Sequence, residues 1–355
     1  MNATASYLSK PKMNSARRNR PSCLFAFLAS FFLLTAGVTR TDAAGVTVTT
    51  FSLYKSTDHG ASWVMAGRGL PSDARINALT MVRNAVVAGT DQGVFISHDA
   101  GDNWQSAQKG IGTESRVLCL TAHAGRIFAG THRHGVLRSD DEGNTWSAVN
   151  TGLSDRHIRS MLAVETRLYA GTDSMGVFAS DNAGALWTSQ RAGLPDSSQV
   201  FDLAAVDGTV FAGLYSQGLY RWEANRGVWV KTGNVVPLEL AVAGKTLVAG
   251  HNPGGIFVSE DQGTTWQDGN LGLPIDAPIW TLAAEAERVW AGTTGRVGLD
   301  SDVIGLFASQ DRGKSWARSD AGLPPASATV SFVIAKQFIL AGITTPKHEA
   351  APTGR

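Results

Sequence analysis

Arg75, Arg116, Arg159 and Arg296 stand at the edges of short apolar runs or in the polar segments between them, as do His132, His134, Tyr215, His251 and Trp280. A guanidinium offers a planar fork of N–H donors, so such arginines suit a carboxylate, sulfate or phosphate. His132 and His134 alternate along the chain and His157 follows, a set that would suit a metal if all three met. Histidines in turns exposed to water are the simpler reading, and no metal or cofactor is expected. Asp300 and Asp302, with Asp173, offer carboxylates for acid–base work, but chain position does not give their separation. The plain alternative for all of these is a set of solvated loop charges.

A repeat positions these residues. Trp63, Trp104, Trp146, Trp187, Trp229, Trp266 and Trp316 are spaced by 41, 42, 41, 42, 37 and 50 residues. A period near 42 is the length of one four-stranded propeller blade. Five of these tryptophans (63, 104, 146, 266 and 316) close the pattern S-x-D-x-G-x-x-W, with Asp58, Asp99, Asp141, Asp261 and Asp311. A sixth copy has Asn182 in place of the aspartate, before Trp187, and the copy near Trp229 has lost the register. The pattern predicts a turn between the third and fourth strands of each blade. Ser and Asp side chains would bond local backbone N–H groups, Gly would take a positive φ, and Trp would bury its ring. A calcium loop needs a terminal bidentate Glu, which these boxes lack.

A second marker, Ala-Gly followed by a short loop and another glycine, precedes most boxes. It occurs at Gly89, Gly130, Gly171, Gly213, Gly250, Gly292 and Gly342. The first box has no Ala-Gly before it and the last Ala-Gly has no box after it. The offset predicts an all-β, seven-bladed β-propeller of four-stranded antiparallel blades. In it, the N-terminal strand completes the blade begun by the C-terminal strands and removes the open edges.

Residues 1–44 have the layout of a signal peptide: a basic segment from Lys10 to Arg20, an apolar run from Cys23 to Val38, then small residues. An uncleaved anchor is the alternative, and would be the chain's link to a membrane. The expected domains are the leader 1–44, the propeller 45–345 and a disordered tail 346–355. Without the leader the chain carries 25 basic and 29 acidic residues, a net −4, which disfavours general nucleic-acid binding. Cys119 then stands alone, so closure must do the work of a disulfide. A secreted or periplasmic monomer is expected.

The box and its period resemble the Asp-box (BNR) repeat family over roughly residues 46–345. Relatives include sialidases, xyloglucan-cleaving glycosidases, sortilin-type receptors and photosystem II assembly-factor propellers. The resemblance implies that ligands bind the face opposite the boxes, near the central channel. There the ligand-binding candidates are Arg75, Arg116, His132, His134, Arg159, Tyr215, His251, Trp280, Arg296, Asp300 and Asp302. Two functions follow. One is a binding or assembly scaffold for a protein, peptide or glycan. The alternative is a glycoside hydrolase, sialidase-like or xyloglucanase-like. The tyrosine–glutamate pair of sialidases is not evident, and the second propeller of xyloglucan-cleaving relatives is missing, so the scaffold is preferred.

Overall fold

The computed structural model describes residues 41–42, 45–112, 115–233, 235–251, 254–294 and 304–348, with side chains described between 50 and 345. These residues form seven antiparallel sheets arranged as seven blades. Ile76–Val82, Val117–His123, Ile158–Val164, Val200–Val206, Pro237–Ala243, Ile279–Glu285 and Ala328–Ala335 are the innermost strands. Each pairs with a second strand that carries the Ala-Gly marker, followed by a third strand and an outer strand, with the box between these last two in every blade but the fourth.

Closure follows the predicted offset. The strand Gly45–Ser56 pairs with Phe338–His348 from Thr47↔His348 to Ser56↔Ile339, and so completes the seventh blade. This pairing reaches three residues into the segment expected as a tail. Thr41–Asp42, within the expected leader, also pairs with Gly45–Val46. The remainder of residues 1–44 lies outside the described residues.

The core is divided among the seams. Seven apolar clusters each join two adjacent blades, and each takes in the tryptophan of the later blade. Five of the seven indole N–H groups reach back across the seam, four of them to an acceptor there alone. Trp63 donates to Ser319 O (2.7 Å), Trp187 to Val149 O (2.8 Å), Trp229 to Gln190 O (2.7 Å) and Trp316 to Gly269 O (2.8 Å). Trp146 divides its donor between Ala107 O of the preceding blade and Gly143 O of its own box, both at 3.0 Å. Trp104 and Trp266 bond only their own box glycines, Gly101 O (2.8 Å) and Gly263 O (3.1 Å). A buried indole thus gains both area and a partner, which is why the repeat keeps tryptophan even where the box has decayed.

Trp266 corrects the expectation of a buried ring in every box. Trp63, Trp104, Trp146, Trp187 and Trp316 are buried, but Trp266 is only partly so. In the blade before it an ordinary hairpin, Gly218–Glu223 paired with Val228–Lys231, replaces the box. Just beyond that hairpin Thr232 Oγ1 donates to Gly263 O, and so shares the acceptor that Trp266 uses. The matching bond from an intact-box blade, Ser319 Oγ to Gly60 O, lies beside the buried Trp63.

The Ala-Gly marker is explained by close approach. A Cβ on Gly89 would lie 2.4 Å from Val117 Cγ1, and one on Gly171 would lie 2.6 Å from Val200 Cγ1, both on the next blade. Side chains there would force adjacent blades apart. Cys119 shares this seam layer. Burial pushes its thiol up to about 12, so it is inert at neutral pH.

Candidate functional site

The box turns form as expected. Ser56 Oγ donates to Asp58 Oδ1 (2.7 Å) and accepts the Gly60 N–H (2.8 Å), while Asp58 Oδ1 accepts the Ser62 N–H (2.9 Å). Asp99, Asp141, Asp261 and Asp311 repeat this last bond with the N–H four residues on. The second carboxylate oxygen accepts a side-chain donor from that same residue: Ser62, Asn103, Thr145, Thr265 or Ser315. In the copy with Asn182 that position is Leu186, which has no donor, and Asn182 Oδ1 alone takes the backbone N–H (2.8 Å). The amide substitutes only where a second acceptor has nothing to accept. Bonds from Ser62 hold the Asp58 carboxyl at about 2, and those from Asn103 do the same for Asp99. The residue after the aspartate also has positive φ, from 53° at Ala183 to 63° at Arg312.

On the opposite face every innermost strand opens with a β-bulge. The bulged residues are Asn77, Leu118, Arg159, Phe201, Leu238, Trp280 and Val330, one per blade. A bulge leaves its extra residue out of the ladder and re-aims its side chain. Two residues before each bulge, the chain meets the loop after the second strand. The Asp91, His132, Asp173 and Tyr215 N–H groups donate to the carbonyls of Arg75, Arg116, His157 and Gln199. The same backbone frame therefore carries different side chains in successive blades.

These side chains interact around the mouth of the channel. Arg159 Nε donates to Asp173 Oδ1 at 2.5 Å, as does Gln199 Nε2. The Arg159 guanidinium lies 4.8 Å from the Phe201 ring centre, and Phe201 stacks on Tyr215 at 5.1 Å. Arg75 lies 5.4 Å over Trp280, across the ring closure. Cation–aromatic contacts of this kind hold arginine forks in place without using all their donors.

The electrostatics are those of a cationic, partly desolvated mouth. Burial, then the charge of Arg116, pushes Arg75 down to about 10, which leaves it charged at neutral pH. Burial, with Arg159, also lowers Arg116. Burial pushes His157 down to about 4 against the pull of Asp173, and burial with Arg116, Arg133 and Arg159 lowers His132. Both imidazoles are therefore neutral at pH 7, with ring centres 4.4 Å apart. Burial would raise Asp173, but the Gln199 bond and Arg159 outweigh it and keep it ionised.

The structure thus groups Arg75, Arg116, His132, Arg159, Tyr215 and Trp280, together with His157, Asp173 and Gln199. His134 instead has its Nδ1 at 3.2 Å from Ser115 Oγ and does not join the two histidines. Among the described residues no group of three or more His, Cys, Asp or Glu could hold a metal. His251 accepts the Val236 N–H (3.0 Å) and packs edge-on against Phe257, at the position where other blades carry Thr131 and Thr172, whose hydroxyls donate instead to Gly135 O and Gly176 O. Arg296, Asp300 and Asp302 lie outside the described residues. A cavity of about 180 Å³ beside Arg318 and Asp320 contains none of the expected residues.

Sequence reasoning missed Phe201 and Asp91. The signal for Phe201 was a constant offset: each bulged residue stands twelve before the glycine of its Ala-Gly marker.

Solved structures confirm the architecture. YCF48 bound to D1 peptide is 17% identical with a TM-score of 0.59, covering 77% of this chain and 94% of that one. An extracellular domain assigned to a hybrid two component system of B. thetaiotaomicron is 15% identical with a TM-score of 0.61, covering 78% and 39%. The GH74 xyloglucanase of Xanthomonas campestris is 17% identical with a TM-score of 0.57, covering 86% and 55%. This chain therefore spans well under two thirds of the last two. At such identities the likeness shows the fold alone. No curated protein matches the chain. The family model described as the DUF6242 beta propeller domain matches residues 84–294, more than half of the sequence, and the chain belongs to that family.

Proposed function

We propose that this propeller is an exported binding or assembly scaffold whose channel mouth, opposite the boxes, takes a protein, peptide or glycan through an anionic group. One observation carries this reading: consecutive blades place Arg75, Arg116 and Arg159 within electrostatic reach, beside the stacked Phe201–Tyr215 pair. Partly desolvated guanidinium groups favour a carboxylate, sulfate or phosphate, and the aromatic pair offers a flat apolar shelf beside it. The neutral histidines add donors and acceptors without adding charge. The peptide held by YCF48 and the extracellular placing of the two component relative support the peptide and export parts of the reading.

Arrays of peptides and glycans, each with anionic and neutral members, test it, with hydrolysis of fluorogenic sialosides and glucosides measured alongside. Anionic members should bind, and Arg116→Gln should weaken them about tenfold or more. Equal binding of neutral members, or hydrolysis lost with Arg116, would overturn the scaffold reading.

A further inference from the structure

The inner strands present a free edge to the channel, and that edge must be satisfied. Side chains of one blade do this for the next. Asn77 Nδ2 donates to Val117 O (2.8 Å), and Ser331 Oγ donates to Ile76 O (2.9 Å). At one place around the ring the same task falls to carboxyl groups. Asp202 Oδ2 accepts the Leu240 N–H of the fifth blade at 2.8 Å, while its Oδ1 accepts the Leu203 N–H. Glu239 in turn accepts the Leu282 N–H of the sixth blade.

The two acids occupy one register position. Asp202 pairs with Gly213 and Glu239 with Gly250, each immediately after its bulge. Leu240, whose N–H Asp202 holds, follows Glu239 directly, so the two carboxyl groups are neighbours in the channel wall. The other titratable side chains of the seven inner strands are Cys119, His123, Arg159 and Glu285. Arg159 is tied to Asp173 at the mouth, and His123 and Glu285 end their strands on the far side. Cys119 feels Asp202 but stays a neutral thiol. No cation is thus provided for the pair by the inner strands.

We propose that Asp202 and Glu239 form a proton-held latch across the fourth, fifth and sixth blades, closed while the pair keeps its protons and loosened when both ionise. Burial raises Asp202 to about 7 and, with Asp202 beside it, raises Glu239 well above an ordinary carboxyl. A raised carboxyl means that the folded ring holds protons the unfolded chain has lost. The latch's contribution is therefore complete below about pH 4 and is lost as pH rises through 7 and beyond. Protonated Asp202 keeps its carbonyl oxygen for the edge N–H of Leu240 and leaves the weaker hydroxyl oxygen to Leu203, so protonation removes repulsion while the bond across the seam stays.

Thermal melts of the full chain between pH 5 and pH 9 test the latch. The wild type should lose at least about 3 °C in Tm from pH 6 to pH 9, and Glu239→Gln should remove most of that slope and melt higher at pH 9. An unchanged slope in Glu239→Gln would overturn the proposal. Should that variant not fold, Asp202→Asn serves the same test. Infrared difference spectra give an independent reading: a protonated-carboxyl band at pH 6 that fades by pH 9 supports the latch, and its absence at pH 6 contradicts it.

Discussion

The two faces of this ring are made from the same strands, yet they obey opposite rules. On the box face, Ser, Asp and Gly recur because each satisfies a backbone group or a dihedral, and Trp recurs because it fills a seam. On the mouth face the backbone is just as regular, with a bulge in every blade, but the bulged residues run from Leu118 to Arg159 to Trp280. Regular side chains on regular backbone mark structure. Irregular side chains on regular backbone mark a surface that the fold does not constrain, where the proposed recognition would act.

The seams should give the largest effects. Trp187→Ala removes a 2% exposed ring and its bond to Val149, and should cost about 3–5 kcal/mol in denaturant unfolding. Trp266→Ala, at the partly buried ring, should cost clearly less than that in the same assay. Gly171→Ala, which sets a methyl against Ser160 and Val200, should cost about 1–3 kcal/mol. A tolerated alanine at that glycine would break the close-approach account of the second marker.

A mouth effect comes next and depends on pH. His157 is depressed below its unfolded value, so the unfolded chain binds the proton first. Stability should fall as pH drops from about 6.5 to about 4, and His157→Gln should flatten that part of the curve. The boxes give the smallest effect and the sharpest comparison. Asp141→Asn exchanges the charge-assisted bond from the Thr145 hydroxyl for a neutral one and should lower Tm by about 1–2 °C, whereas Asn182→Asp, opposite Leu186, should give no gain. Equal responses would show that the second oxygen does not explain the exchange.

How far the sequence could be read follows from the same contrast. Trp63 and Gly342 could be read as markers because their roles repeat, and their offset at the chain ends located the closure. The partial burial of Trp266 could not be read from its own box, which matches the pattern as fully as those of the buried Trp63 and Trp104. Arg159 and Trp280 were recognisable as charged and aromatic residues at matching positions. Phe201 was not, since an aromatic in the run Val200–Leu203 resembles core until its bulge is known. Asp202 and Glu239 were overlooked for a related reason: a carboxyl inside an apolar strand has meaning only once the strand's free edge is seen to face the next blade.

The central claim is that recognition belongs to the mouth. Binding of wild type, Arg116→Gln and Arg159→Gln to the same peptide and glycan arrays tests it directly, with the box-face variants Arg83→Gln and Lys314→Gln as controls. The account predicts that anionic ligands are lost with either mouth arginine and retained by both controls. Binding that survives both mouth variants, or that vanishes with the box-face pair, would contradict it.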